Sequence, residues 1–562
     1  MKRRFGFLPA LIAILVLCES QTARAAYADV PEGALGNEVR KAVEYGLMNG
    51  LSENRFGYAV PMTREQFVTV LDRLLLSDAD SAPLPDSMKL PDTLSEVRRQ
   101  ALSHAVAYGV VDSSVPFRPD APVTRQEMAE MLVKALGLDN AALSLSSNRI
   151  LTFHSDKTSL PDLENATPFR DLPEGKEGYA AIAYAIGMTK GLSPTRFGPN
   201  DTATRAQVAA MLTRIYEKLH QRTSFRHAFY SSSHMLSASA VLLDVISVEW
   251  SRMSWNEARA VLVTKPNSTG PSDRVVPSDY ETIAKALTAH GAKLHLSVFM
   301  DLSGGLETLL SSNEGRAEAV QQILNELTVP YPALGKNPYS GVTIDFKGLH
   351  KEQRPLFTRF LSELKDALSQ TGKGLYVCVP PYLSAGHWDD GYDYRAIVEM
   401  ADRLILTAYN YQPDSLNNFL GTEAYKNVPP APLSNVYLSL WKLAEEVPDT
   451  FASKLVLGVT SQHTAWEVGR DNDNLLSGSP VLPDTEALRQ YLNLPDTKKG
   501  WSVSYQMPYA FYRTPQGSRY FVWYENNRSF HRKAEIARLL GVTAISYWRI
   551  DLNPLYAPWE SF

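Results

Sequence analysis

Residues 339–349 read YSGVTIDFKGL, a short apolar run that ends in Asp345, Phe346 and Lys347. Apolar and β-branched residues predominate from Gly341 onward, a pattern that favours a buried β-strand. Because side chains two residues apart share one face of a strand, Asp345 and Lys347 are predicted to point in the same direction. We therefore expect an ion pair at the end of this strand.

Seven further runs of this kind occur from about residue 225 onward, and helix-length segments such as residues 355–370 separate several of them. Alternating strands and helices favour a parallel sheet, and eight such units suit a (β/α)8 barrel. The sequence therefore predicts an α/β fold, a barrel over residues 225–562, with an insertion from 465 to about 530 before the last helix. The other strands are predicted in HAFYSSS, LLDVISVEW, AKLHLSVFM, GLYVCVPP, RLILTAYNY, KLVLGVTS and AISYWRI.

The predicted C-terminal ends of these strands, where such barrels place their functional residues, carry aromatic and polar side chains. Rings that stack on the C–H faces of sugars, beside groups that bond to hydroxyls, are typical of a sugar site. Plain packing of the aromatic residues is the alternative. The side chains concerned are Glu249, Trp250, Asp345, Lys347, Tyr409, Asn410 and Trp548.

The N-terminal part contains a unit that occurs three times, each copy with an Asp, a Gly, a Phe and a Thr-Arg pair in that order. Apolar residues at helical spacing predict helix, glycine-containing loop and helix in each copy, with the Thr as N-cap. The copies contain Asp29, Gly46, Phe56, Thr63 and Arg64; Asp92, Gly109, Phe117, Thr124 and Arg125; and Asp171, Gly187, Phe197, Thr204 and Arg205.

Three equivalent arginines beside helix N-termini favour an anion site, although a solvated charge next to a capping residue is the alternative. The three copies, over residues 27–85, 88–140 and 166–220, resemble S-layer homology modules. That resemblance implies attachment to a secondary cell-wall polymer. It places Arg64, Arg125 and Arg205 at anion-binding positions and Asp29, Asp92 and Asp171 at the start of each repeat.

The second copy departs from the pattern, because Asp112-Ser113-Ser114 replaces the Gly-Leu-Ser of the other two copies. Its anion pocket is therefore the weakest prediction of the three. Residues 141–165, which precede the third copy, are polar and rich in turn-forming residues. We predict that they form an insertion between the second and third repeats.

Residues from about 225 to 560 resemble family 18 glycoside hydrolases, closest to the bacterial branch with spore-cortex and peptidoglycan glucosaminidases. The stretches that carry the resemblance are GVTIDF, WDDGYDYRAIVEMADRLILTAYNY and VWYENNRSFHRKAEIARLLGVTAISYWRI. The resemblance implies an N-acetylated glycan of chitin or peptidoglycan type as ligand. No cofactor is expected, and the sequence shows no spacing typical of metal ligands.

In that family the fourth strand reads Asp-Gly-x-Asp/Asn-x-Asp-x-Glu, and its last Glu is the general acid. The Asp before it orients the substrate's N-acetyl group, whose carbonyl attacks the anomeric carbon. Here these positions hold Ser340, Thr343, Asp345 and Lys347. A lysine has an ordinary pKa of about 10.4 and is a poor proton donor at neutral pH. Loss of general acid catalysis typically costs about 10² to 10⁴ in rate.

The resemblance and the substitution together predict a barrel that binds an N-acetylated glycan with little or no hydrolysis. Asp345, Tyr409, Asn410 and Trp548 are expected to contact the sugar, and Asn410 stands where the family commonly has Asp. One alternative is an active glycosidase that uses a displaced acid, such as Glu249 or a loop carboxylate. Another is a structural protein of the cell envelope.

The chain has 562 residues and a formal net charge of -5, without the basic excess of a nucleic-acid-binding protein. Residues 1–25 have a basic start, an apolar run and a small-residue site, which predict a cleaved secretory signal. The protein is thus expected to be secreted and attached to the cell wall, and not to be an integral membrane protein. Cleavage would leave Cys378 as the one cysteine, predicted to be a buried strand residue.

Overall fold

The computed structural model describes residues 27–77, 79–147, 166–231, 243–265, 274–381 and 390–550. The predicted signal over residues 1–25 lies outside these ranges. Within them, no helix combines the length and apolar character that a membrane span requires.

Eight parallel strands close into a barrel, because the first strand pairs with both the second and the last. Each barrel strand is hydrogen-bonded to the barrel strands that precede and follow it along the chain. The (β/α)8 prediction is confirmed, and all eight predicted strands are present. They are β1 (Phe225–Tyr230), β2 (Val245–Asn256), β4 (Lys293–Met300), β5 (Tyr339–Phe346), β6 (Gly374–Val379), β7 (Arg403–Thr407), β8 (Leu455–Thr460) and β13 (Ala544–Trp548).

Amphipathic helices cover the outside of the barrel. In the helix after β5, Phe357, Phe360, Leu361 and Leu364 recur at helical spacing, and all four are buried against the strands. The helices are α8 (Tyr280–Thr288), α9 (Leu306–Ser311), α10 (Asn313–Thr328), α11 (Arg354–Ser369), α12 (Tyr394–Met400), α13 (Leu433–Glu446) and α15 (Asn527–Leu539). A further strand, β3 (Arg259–Val263), pairs antiparallel with the end of β2.

The predicted insertion is present between β8 and α15 as a four-stranded antiparallel sheet with one helix. The segments YAFYRT and RYFVWYE supply two of its strands, and these pair with each other. Its elements are β9 (Thr464–Val468), α14 (Thr485–Leu492), β10 (Lys498–Ser502), β11 (Met507–Arg513) and β12 (Arg519–Trp523).

Each N-terminal repeat folds as two helices joined by a loop. The second helix of each begins at the predicted Thr, whose side chain accepts a hydrogen bond from the backbone N–H three residues on. The side-chain oxygen of that third residue accepts a hydrogen bond from the backbone N–H of the Thr, which completes a capping box. The helices are α1 (Ala34–Glu44), α2 (Arg64–Leu71), α3 (Glu96–Ala107), α4 (Arg125–Ala135), α6 (Glu177–Ala185) and α7 (Arg205–Leu219).

The sequence predicts a turn-rich insertion over residues 141–165, and the structure differs from that prediction. The first residues of this segment belong to helix α5 (Asp139–Ser147), which packs against α6. Leu138, Ala141, Ala142 and Leu145 have helical spacing and are buried, so their burial stabilises a helix despite the surrounding serines. Residues 148–165 lie outside the described part of the chain.

The repeats and the barrel share one hydrophobic core. Tyr437, Leu438 and Trp441 of α13 and Ile536 and Leu539 of α15 are buried in the same cluster as the apolar residues of all three repeats. These barrel helices therefore bury one face against the strands and another against the repeats.

Hydrogen bonds connect each repeat with the barrel at this interface. Lys218 Nζ donates to the carbonyl oxygen of Leu539 at 2.9 Å, and Arg532 donates to that of Leu75 at 2.7 Å. The side chain of Arg528 donates to the hydroxyl of Tyr108 at 2.6 Å and stacks on Trp501. The contacts involve the third, first and second repeat, respectively, so the whole trio is attached to the barrel.

Candidate functional site

The ion pair predicted at the end of β5 is present. Lys347 Nζ lies 2.9 Å from Asp345 Oδ1 and 3.3 Å from the hydroxyl oxygen of Thr407 on β7. The Lys347 backbone N–H donates to the carbonyl oxygen of Met300 at 2.9 Å, which continues the pairing of β5 with β4 past its last residue. Both charged side chains thus point into the C-terminal mouth of the barrel.

A polar but uncharged layer lies beneath this pair. Thr343, two residues before Asp345 on the same face, bonds to Ser247 at 2.7 Å, and Ser247 bonds to His227 at 2.8 Å. His295 lies 3.4 Å from the Thr343 hydroxyl oxygen, and burial lowers its pKa to about 3. Burial also lowers the pKa of His227, so both imidazoles are neutral at physiological pH.

Cys378 on β6 is fully buried near the Asp345 carboxylate. Burial and the negative charge of Asp345 raise the pKa of the thiol well above its usual value. Because the thiolate is the reactive form of cysteine, Cys378 is a packing residue here rather than a nucleophile.

Tyr409 and Trp548 stack on each other at the mouth, with ring centroids 6.3 Å apart and an angle of 25° between the planes. Burial, and then the charge of Asp345, raise the pKa of Tyr409, so its hydroxyl keeps its proton and can donate. Asn410 follows in a left-handed conformation with φ of 65° and is exposed. These positions agree with the strand ends predicted from the sequence.

Glu249 lies in the same cluster, but its carboxylate is almost fully enclosed, with 3% of the side chain exposed. It accepts a bond from Trp548 Nε1 at 3.2 Å. It also pairs with Arg274 at 3.3 Å and with Arg549 at 3.8 Å. Two guanidinium groups and an indole N–H thus surround this carboxylate, which leaves little of it open to the barrel mouth.

The structure corrects the prediction that Trp250 contacts a ligand. β2 continues past the mouth to Asn256, with a register shift between Val248 and Ser251. Neighbouring residues of a strand face opposite sides, so Glu249 points inward and Trp250 points into the core. The Trp250 side chain is fully buried, and its Nε1 donates to the carbonyl oxygen of Ser231 at 3.3 Å.

The three predicted arginines each connect their own repeat with a neighbouring one. Nε donates to the carbonyl oxygen of a Phe in the adjacent repeat, at 2.8 Å for Arg64 and Arg125 and 2.9 Å for Arg205. The guanidinium also lies over the ring of that Phe. The first repeat binds the second, the second binds the third and the third binds the first, which closes a ring of three.

The inter-repeat grooves beside these arginines differ in size and charge. The groove at Arg205 encloses about 270 Å³ and is also lined by Glu65, Arg73 and Arg98. The groove at Arg64 encloses about 210 Å³ and contains Lys134 with three carboxylates, Asp112, Glu127 and Glu130. At Arg125 the corresponding space is closed. The first groove therefore has an excess of positive charge and the second an excess of negative charge.

The aspartates that begin the repeats are structural in two copies. Asp29 accepts three backbone N–H bonds from Phe56, Gly57 and Tyr58, and Asp171 accepts two in the equivalent loop. Asp92 is exposed, and the equivalent N–H, that of Phe117, donates to the carbonyl oxygen of Met88 instead. The departure of the second copy from the sequence pattern therefore extends to its loop.

The sequence analysis did not identify Arg274 or Thr407 at the mouth, or Arg73 and Arg98 in the first groove. Arg549 and Thr407 lie at predicted strand ends, so their position in the sequence already indicated that they are near the barrel mouth. Arg274 lies between β3 and α8, and Arg73 and Arg98 lie on helices outside the repeated motif. Only the folded structure brings these three side chains to the two sites.

Comparison with known proteins gives two family matches and several relatives. The model of glycosyl hydrolases family 18 matches residues 216–553, more than half of the chain, and that of the S-layer homology domain matches residues 168–209. A Bacillus subtilis (strain 168) protein named "Putative sporulation-specific glycosylase YdhD" is 29% identical over 260 residues, or 45% of this chain and 58% of that protein.

The cortical fragment-lytic enzyme of Bacillus subtilis (strain 168) is 25% identical over 243 residues, or 42% of this chain and 51% of the enzyme. The chain thus spans little more than half the length of these curated relatives. The crystal structure of the Bacillus cereus spore cortex-lytic enzyme SleL matches this chain with a TM-score of 0.44 and 18% sequence identity. The match covers 68% of this chain and 79% of the SleL chain.

The S-layer homology match covers the third repeat and does not extend to the first two. The first two repeats nevertheless make the same arginine-to-phenylalanine contact with a neighbouring repeat as the third. With its barrel matched over almost its whole length, the chain belongs to glycosyl hydrolases family 18 and carries an S-layer homology domain in front of the barrel.

Proposed function

We propose that the barrel binds an N-acetylated glycan of chitin or peptidoglycan type with little or no hydrolysis, in an exported protein that its repeats hold on the cell wall. The observation that carries this proposal is the ion pair of Lys347 with Asp345 at 2.9 Å. Lys347 occupies the position at which the family has its general acid, and an ammonium group paired with a carboxylate holds its proton.

The charge of Lys347 also opposes the chemistry of the family. Positive charge develops on the sugar in the transition state of glycoside hydrolysis, and a nearby ammonium group raises the energy of that state. Asp345 and the stacked pair of Tyr409 and Trp548 remain suited to hold an N-acetyl group and a sugar ring. Binding without turnover is therefore the function that these side chains support best.

Glu249 does not supply a replacement acid in this proposal. Its carboxylate is enclosed by Arg274, Arg549 and Trp548. A general acid must reach the glycosidic oxygen, and a carboxylate that these partners enclose, with 3% of its side chain exposed, is not presented to a ligand in the mouth.

The full-length chain is expected to bind chitotetraose in calorimetric titration and to release no reducing ends from it or from peptidoglycan. Turnover that persists in Lys347→Ala and disappears in Glu249→Gln would establish an active enzyme with a displaced acid instead. Absence of binding to chitotetraose and to soluble peptidoglycan fragments would contradict the proposal and leave a structural role in the envelope.

For the wall anchor, we propose that all three repeats are S-layer homology modules and that the groove at Arg205 takes the acidic polymer. Arg205 itself is 4% exposed and donates to Phe56, Gln66 and Asn49, so it shapes the groove rather than reaching far into it. Arg98, whose side chain is half exposed, pairs with Glu65 at 3.0 Å and points a charge toward the ligand space.

Arg98→Gln is expected to weaken cosedimentation of the full-length chain with purified cell walls by about 3- to 10-fold, because a charge-assisted contact is lost. Arg40→Gln, which removes an exposed arginine of α1 outside the groove, is the matched control and should sediment like the native chain. Equal sedimentation of Arg98→Gln and the control would contradict the assignment of this groove.

A further inference from the structure

The groove at Arg205 contains a carboxylate as well as its arginines. Glu65, in the first turn of α2, lines this groove, and 9% of its side chain is exposed. Its Oε1 lies 3.0 Å from Nε of Arg98 on α3. In the free protein, the arginine proposed to receive the polymer therefore already faces an anion.

The other two arginines of the groove are engaged differently. Arg205 donates to the side-chain oxygen of Gln66 and to two backbone carbonyl oxygens. Arg73 donates to the carbonyl oxygen of Leu47 at 3.0 Å. These acceptors are neutral, whereas the acceptor that faces Arg98 is charged. An anionic group of a ligand thus meets direct competition at Arg98.

The position of Glu65 in the repeat shows that this carboxylate is not part of the shared pattern. It follows the Thr-Arg pair, and the other two copies have the uncharged Gln126 and Ala206 there. A helix N-terminus favours a carboxylate, which explains an acidic residue in the first turn but not its burial beside an arginine. The carboxylate is therefore a feature of this groove and not of the repeat.

The Glu65 carboxylate depends on its ion pair because it is buried. Burial raises the pKa of this group and the charge of Asp120 adds to the rise, whereas Arg98 and the Thr69 hydroxyl lower it, and the net shift is upward. The other two arginines line the same groove. Without Arg98, Glu65 would lose its ion pair in a site with little water and would take up a proton more readily.

We propose that Glu65 is an internal competitor of the acidic polymer, which occupies Arg98 in the free groove until an anionic group of the polymer takes its place. The inference rests on the proposed wall-anchoring function and adds to it how binding at this groove is regulated. Because the displaced carboxylate takes up a proton, affinity for the wall rises as the pH falls from about 7 to about 5. An exposed carboxylate of the polymer, with an ordinary pKa of about 4, keeps its charge in that range.

The first test measures cosedimentation of the full-length chain with purified cell walls at about pH 7. Glu65→Gln is expected to bind about 3- to 10-fold more tightly, because it keeps the shape of the side chain but not the charge that holds Arg98. Glu32→Gln removes an exposed carboxylate that pairs with Arg40 outside the groove. It changes the net charge equally and should bind like the native chain. Unchanged or weaker binding of Glu65→Gln would overturn the inference.

The double variant Glu65→Gln/Arg98→Gln tests the exchange of partners itself. It should bind no more tightly than Arg98→Gln alone, because the gain depends on the release of Arg98. A gain that persists without Arg98 would show that Glu65 repels the polymer directly, and would overturn the exchange.

The pH dependence gives an independent measurement. From about pH 7 to about pH 5 the binding of the native chain should strengthen by at least about 3-fold, and that of Glu65→Gln to the same walls should change less. Equal pH dependence of the two chains would contradict the inference. If Arg98→Gln weakens binding while Glu65→Gln does not strengthen it, the inference fails and the proposed groove stands. If Arg98→Gln sediments like Arg40→Gln, the proposed function of the groove itself fails.

Discussion

Replacement of Lys347 by Glu is expected to give the full-length chain measurable hydrolysis of chitotetraose, at least about 100-fold above the native rate. The change places a carboxyl group two residues after Asp345, on the same face of the strand. Two carboxyl groups this close cannot both ionise easily, so one keeps its proton near neutral pH. The new side chain thereby acquires the property that a general acid needs.

The same substitution also removes the positive charge that opposes the transition state. Lys347→Gln separates the two effects, because it removes the charge without supplying an acid. Reducing-end release should rise strongly in Lys347→Glu and little in Lys347→Gln. The double variant with Asn410→Asp, which restores the residue common in the family, should be at least as active as Lys347→Glu alone.

A native chain that already hydrolyses chitotetraose as fast as Lys347→Glu would refute the assignment of Lys347 as the blocked acid position. A well-folded double variant that binds chitotetraose without turnover would refute it as well. Binding measured by calorimetry on the same samples distinguishes a lost site from a site that holds the sugar without reacting.

Leu539→Ala is expected to destabilise the repeats and the barrel together, by about 2 to 5 kcal/mol of unfolding free energy. Leu539 is fully buried in the core that α15 shares with the repeats. Removal of its side chain leaves a cavity between the two parts, and a single thermal transition should shift to lower temperature. Differential scanning calorimetry of the full-length chain measures both the shift and the number of transitions.

Leu420→Ala is the matched control, because the same side chain is 50% exposed there and its loss should cost less than about 0.5 kcal/mol. Two separate transitions, of which Leu539→Ala moves only one, would contradict the shared core. The apolar side chains of Tyr437, Trp441 and Ile536 lie in this interface. A barrel produced without the repeats would expose them, so functional tests need the whole chain.

The periodicity of the sequence was sufficient to predict the barrel, because eight short apolar runs alternate with helix-length segments. It also predicted that Asp345 and Lys347 meet, since both belong to one strand. Trp250 shows the limit of this reasoning. Which of two neighbouring residues faces the mouth depends on where β2 ends and on a register shift, and both are set by pairing with distant strands.

Contacts between parts far apart in the sequence were not predicted. Helix α5 contains serines and a short apolar stripe, and its stability comes from packing against α6. The role of Arg205 depends on Phe56, 149 residues away. The recurrence of a Phe seven residues before each Thr-Arg pair was the available signal, but it does not reveal that the pairing runs between neighbouring repeats.

The core shared by the repeats and the barrel holds the repeats and the barrel mouth in one relative position. A tethered domain searches a volume set by its linker length, whereas a fused domain has one position and one orientation relative to its attachment point. Under the proposed function, α13 and α15 would fix the angle at which the barrel mouth faces the wall. Glycan strands would then come within reach only where their direction matches that angle, so binding would depend on the local alignment of the wall as well as on its chemistry.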